Sequence, residues 1–116
     1  MQFFRVTPLI VLWGCTTNAA TLPAGFTETQ ISGLSNPTAM EIAPDGRIFV
    51  CLQGGSLRVI KNGTLLPPRF ITLNVDANGE RGLLGIAFDP NYASNNFLYV
   101  YFSQLISDFS FLIFSC

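Results

Sequence analysis

The sequence contains no histidine among its 116 residues. That removes the commonest general base and the commonest metal ligand together. Any catalysis by these residues alone would rest on carboxylate, Lys, Tyr or Cys groups. Charge is scarce as well: 11% of residues are charged, six basic against seven acidic, for a formal net charge of −1. No basic stripe exists to neutralise phosphates, which excludes a nucleic-acid partner. The three cysteines, Cys15, Cys51 and Cys116, form no CxxC pair and no even framework, so a disulfide-stapled fold is not indicated. Cys51 lies in the apolar run Ile48 to Leu52 and reads as a buried strand thiol.

Apolar residues are abundant at 49%, the reverse of a disordered composition. Residues 1–20 carry one positive charge, Arg5, then an apolar stretch from Val6 to Trp13, then small and polar residues ending in Ala19-Ala20. This is the layout of a secretory signal peptide, and its apolar core is shorter than the ~20 residues a membrane span needs. Export to a secreted or periplasmic location follows as an expectation, without a transmembrane span. The run Leu12-Trp13-Gly14-Cys15 also resembles a lipoprotein signal, which would place a lipid anchor at Cys15.

From Gly25 onward turn signals recur every few residues, among them Pro44-Asp45-Gly46, Asn62-Gly63 and Asp89-Pro90-Asn91. Short β-branched and aromatic runs between them predict strands near Thr38–Ala43, Arg47–Leu52, Ser56–Ile60 and Phe70–Val75. Asn62-Gly63 predicts a tight hairpin, because both central residues must take positive φ. No sustained helical period occurs. A meander of four such strands is the unit of a propeller blade, and also of sandwiches and barrels. A repeat favours the propeller. Ala39 to Gly46 leads into Arg47-Ile48-Phe49-Val50, and Leu84 to Pro90 leads into Phe97-Leu98-Tyr99-Val100. Pro44 and Pro90 stand 46 residues apart, within the ~40–50 residues a four-stranded blade requires. The fold class expected is all-β, about one blade and the start of a second. A blade buries its faces against neighbouring blades, so such a piece is expected to aggregate or order only partly when isolated. Residues 104–116 are apolar, lack Gly and Pro, and carry one charge, Asp108. They read as a truncated or shifted end of the reading frame; a genuine final strand would leave an apolar sheet edge open.

The densest motif is Asn78-Gly79-Glu80-Arg81-Gly82-Leu83-Leu84-Gly85. Its glycines suit a sharp loop entering a strand. Glu80 and Arg81 at the strand mouth read first as a loop ion pair of small energetic value. Asp76-Ala77-Asn78-Gly79-Glu80 resembles the start of a calcium loop but lacks the later oxygen ligands, so a plain turn is the simpler reading. Asn62-Gly63-Thr64 is a glycosylation sequon, relevant only in a eukaryotic secretory path.

The segments Leu22-Pro23-Ala24-Gly25-Phe26, Leu34 to Met40, Ala43 to Val50, Gly79 to Pro90 and Asn95 to Tyr101 occur in that order. Together, over residues 22–103, they resemble the N-terminal part of the glucose/sorbosone dehydrogenase family, the soluble pyrroloquinoline quinone (PQQ) dehydrogenases. The resemblance implies a six-bladed propeller holding PQQ and calcium near its axis. It implies a sugar substrate, an electron acceptor, and a His that takes the proton of a sugar hydroxyl while hydride passes to the quinone. That His and the calcium ligands belong to later blades, so no catalytic residue and no metal ligand is assigned in this sequence. By position, Glu80 is the residue the family turns toward the cofactor, with Arg81 beside it as a compensating cation. Glu at this point would repel an anionic quinone unless so compensated. The expected function is therefore a piece of an exported sugar (aldose) dehydrogenase, inactive alone. The alternative is a non-enzymatic exported propeller that binds proteins or glycans.

Overall fold

The computed structural model describes residues 20–104 in full and residues 110–115 as backbone. The signal-peptide reading, the lipid-anchor reading at Cys15, and Cys116 fall outside the described residues, apart from Ala20.

Two antiparallel sheets make up the described chain. The first contains β1 (Pro37–Ile42), β2 (Ile48–Leu52), β3 (Ser56–Lys61), β4 (Thr64–Leu65) and β5 (Ile71–Thr72). They pair in the order β1-β2-β3, and β4 and β5 both lie along β3 as an interrupted fourth strand. The second sheet is β6 (Leu83–Phe88), β7 (Phe97–Phe102) and β8 (Ser110–Ser115), in that order. A single helical turn, α1 (Tyr92–Asn95), fills the loop between β6 and β7.

The predicted strands form where the β-branched and aromatic runs lie. Asn62 has φ 51° and Gly63 φ 74°, the left-handed pair that a two-residue hairpin between β3 and β4 requires. The expected strand Phe70–Val75 is shorter, Ile71–Thr72. Its chain follows β3 only as far as Leu73, whose N–H donates to Gly55 O, and then crosses to the other sheet, where Asp76 N–H donates to Ser103 O. The apolar tail supplies β8, whose backbone pairs with the whole of β7 from Ser110↔Phe102 to Ser115↔Phe97.

The repeat read from the sequence is a repeat of register. In the first sheet Pro37 pairs with Leu52, a bulge follows, and Ala39 pairs with Cys51. In the second Leu83 pairs with Phe102, a bulge follows, and Gly85 pairs with Tyr101. The bulges fall at corresponding places. So do the closing bonds, Gln53 N–H to Asn36 O and Ser103 N–H to Gly82 O.

Alternation in the strands gives each sheet a front and a back. The front of the first sheet (Ala39, Phe49, Cys51, Leu57, Val59) packs on the back of the second (Ile86, Phe88, Leu98, Val100, Phe102) in one core. Phe49 is fully buried and meets the rings of Phe70 and Phe88 edge-on, each at 5.3 Å between centroids. Burying a ring of this size stabilises the fold by about 1.5–3 kcal/mol, with an edge-to-face bonus of about 0.5–1.5. The back of the first sheet (Val50, Leu52, Ile60) is covered in part by Ile31 and Leu34 of the N-terminal segment.

Candidate functional site

The two first strands, β1 and β6, lie side by side at the junction of the sheets. Thr38 Oγ1 donates to Leu83 O at 2.5 Å across it. The loop 76–82 enters β6 there, and it contains both residues singled out in the sequence.

The loop is anchored by a buried polar relay. Asp76 and Ser103 are 3% and 2% exposed. Ser103 Oγ accepts Gly82 N–H at 2.8 Å and donates to Asp76 O at 3.1 Å. Asp76 Oδ1 accepts both the backbone and the side-chain N–H of Asn78, closing an Asx turn. Arg81 Nη1 stands 2.6 Å from Asp76 Oδ2. This is a charge contact off the hydrogen-bond direction, since Oδ2 has no aligned donor among the described residues. Arg81 Nε donates to Asn78 O. From the first sheet, Gln53 Nε2 donates to the carbonyls of Gly79 and Arg81, and Gln53 O accepts Leu83 N–H.

Gly82 is required by this packing. Its φ is +133°, and a Cβ there would lie 2.2 Å from Gln53 O. Lacking a side chain, Gly82 lets the loop backbone approach Gln53 of the neighbouring sheet closely.

Glu80 is exposed. Arg81 is more than half exposed along its side chain, but its guanidinium is held against the buried carboxylate of Asp76. The expected Glu80–Arg81 loop ion pair is thus replaced by Arg81–Asp76, because buried Asp76 has a greater need of a cation than exposed Glu80. The calcium-loop likeness resolves into the Asx turn, and no group of three or more potential metal ligands occurs among the described residues. Sequence reasoning missed Gln53 and Ser103. Each follows the second strand of its sheet, so carrying the repeat one residue past Leu52 and Phe102 would have paired them.

A second polar cluster closes the far turn. Asp89 accepts from Asn91 N–H, Asn95 Nδ2 and Tyr99 Oη. These bonds, that from Tyr99 foremost, hold the Asp89 carboxyl below the usual carboxylate range and raise the Tyr99 phenol. Nearby, Arg47 lies 5.3 Å from the Phe49 ring centre and donates to Tyr92 Oη at 3.1 Å, tying the first sheet to α1. Cys51 is buried in the core, and desolvation pushes its thiol up to about 12. No helix among the described residues is long and apolar enough to cross a membrane.

The profile of the Glucose / Sorbosone dehydrogenase family matches residues 34–109. An uncharacterized protein of Synechocystis sp. is 32% identical over 83 residues, covering 64% of this chain and 20% of that protein. The mouse (Mus musculus) hedgehog-interacting protein is 32% identical over 79 residues, 60% of this chain and 11% of the relative. The PQQ-bound aldose sugar dehydrogenase of Streptomyces coelicolor superposes with a TM-score of 0.63 at 30% identity, over 70% of this chain and 25% of that one. A Thermus thermophilus putative oxidoreductase (glucose dehydrogenase) gives 0.62 at 28% identity, over 72% and 25%. The chain thus spans a quarter or less of these four proteins. The two sheets are successive propeller-like blades, and the chain belongs to the glucose/sorbosone dehydrogenase family.

Proposed function

We propose that the chain supplies the first blade and three strands of the second to an exported PQQ-dependent sugar dehydrogenase, and that it does not turn over sugar by itself. The observation that carries this is the β1–β6 junction. The family motif is built there into an ordered loop between two blades, and a homologous aldose sugar dehydrogenase of matching fold binds PQQ.

The residues present do not make a PQQ site on their own. An anionic quinone requires cations. The loop offers Arg81, already matched by buried Asp76, and beside it the exposed carboxylate of Glu80. The sequence has no His to act as base, and the described residues gather no metal-ligand group. No catalytic step is therefore assigned to this chain. Its contribution is structural: a loop held in place by the Asp76–Arg81 pair, on which exposed Glu80 borders the cofactor pocket without a cation of its own. The remaining sectors would provide the base, the calcium and the cations.

The test is dye reduction by a protein in which these residues are continued by the blades that complete the ring. Aldose-dependent reduction that needs both PQQ and calcium is expected. Failure with every aldose, together with failure to bind PQQ, would overturn the proposal. The hedgehog-interacting protein match and the acidic residue at position 80 favour the alternative, an exported propeller that binds proteins or glycans. That reading predicts the second outcome.

A further inference from the structure

The triplet Asn62-Gly63-Thr64 takes no part in the site. It forms the turn between β3 and β4, where Ile60 pairs with Leu65 and Lys61 with Thr64. Asn62 and Gly63 take the left-handed conformations of a two-residue loop, and Lys61, Asn62, Gly63 and Thr64 are all exposed. A Cβ placed on Gly63 would meet nothing within 4 Å, so the space around the tip is open. β3 begins at Ser56, close behind the Gln53 that bonds to the loop 76–82, and its six residues carry the chain about 20 Å away from there. The tip therefore stands at the end of the first sheet opposite the site. It also lies at the strand ends, whereas blades stack through their faces. Asn36-Pro37-Thr38 is the one other Asn-x-Ser/Thr triplet of the sequence, and its Pro bars acceptance of a glycan.

We infer that Asn62 is a modification site, taking an N-linked oligosaccharide on its side-chain amide when the chain is exported through a eukaryotic secretory lumen. The donor is an oligosaccharide joined through a diphosphate to a membrane polyprenol. The bond from Asn62 Nδ2 to C1 of the first sugar forms as the C1–O bond to the diphosphate breaks. The lipid diphosphate leaves, one amide proton passes to a base of the transferase, and nothing is oxidised or reduced. Thr64 supplies the hydroxyl that the acceptor triplet requires two residues after the Asn. In the folded chain the glycan projects from an exposed turn, so it covers neither the junction of the sheets nor the loop that carries Glu80. A bulky hydrophilic group there also shields the short outer edge made by β4. The inference rests on the proposed export and is independent of the cofactor chemistry.

The experiment produces the full chain in a eukaryotic host cell in two forms, one with its own N-terminus and one with a host signal peptide ahead of Met1. The second form decides. Its signal-processed species, secreted or retained in the cell, is expected to migrate as a larger glycoform. Peptide N-glycosidase is expected to return it to the unmodified size, with the amide-to-acid mass change confined to the Asn62 peptide. Asn62→Gln and Thr64→Ala are each expected to abolish the shift, and Thr64→Ser to retain it at lower occupancy. Thr64→Ser and Thr64→Ala both lose the Thr methyl, so their difference reads the hydroxyl rather than any disturbance of the hairpin. A signal-processed chain without glycan, a glycan on Asn36 instead, or a shift that persists in Asn62→Gln would each overturn the inference. A glycan on the second form and none on the first would uphold it and count against the export reading alone.

Discussion

Replacing Gly82 by Ala tests how the two sheets are joined. The backbone at Gly82 has φ +133°, which L-residues rarely adopt, and such strain costs about 1–3 kcal/mol. The new methyl would also stand 2.2 Å from Gln53 O and 2.9 Å from Gln53 Cγ. Backbone must therefore shift at the point where Gln53 O accepts Leu83 N–H, and losing that buried bond adds about 1–3 kcal/mol. The expected loss is about 2–6 kcal/mol, a large share of the ~5–15 kcal/mol typical of a whole domain. Gly46→Ala is the control. Gly46 has φ +86° but nothing within 4 Å of its would-be Cβ, so only the conformational cost of about 1–2 kcal/mol applies. Urea unfolding followed by circular dichroism gives both values. Equal losses in the two variants, or a smaller loss for Gly82→Ala, would refute the close approach between the sheets.

Ser103→Ala removes the acceptor of Gly82 N–H and the donor to Asp76 O, both buried, and is expected to destabilise by about 2–3 kcal/mol in the same assay, whereas exposed Ser94→Ala changes little. Asp89, with its carboxyl held low, contributes stability above its unfolded pKa that is lost as pH falls through the native value. Tyr99, raised by the same bond, contributes stability below its unfolded pKa that is lost as pH rises through its higher native value. Tyr99→Phe should flatten both limbs of the stability–pH curve, and an unchanged curve would contradict the pairing. Cys51, with its thiol pushed up to about 12, should resist thiol-specific reagents at pH 8 and react only as the chain unfolds; immediate labelling of the Cys51 peptide itself, distinguished by mass spectrometry from Cys15 and Cys116, would show that the core is open.

Much of the fold was legible because its signals are local. Asn62-Gly63 dictates a hairpin through backbone conformation alone, and the Pro44/Pro90 repeat marks corresponding turns in two sheets. The strand predicted at Phe70–Val75 was cut short by a tertiary demand, since the chain must leave β3 for Asp76 to reach Ser103. The site was legible by half. Glu80 and Arg81 announce themselves in a glycine-rich run, whereas the residues that fix their loop, Gln53 and Ser103, are ordinary polar residues at strand ends. Their roles arise from which sheet lies next to which. Arg81 turns to Asp76 for the same reason: burial of Asp76 is a property of the packed pair of sheets, absent from the local sequence.

The central claim is that these two blades hold each other front to back and, as proposed above, that Glu80 and its loop do not suffice to bind the cofactor without the groups of further blades. Equilibrium titration of the chain alone with PQQ in the presence of calcium tests it most directly. No saturable binding is predicted, and tight one-to-one binding to this chain would contradict the account.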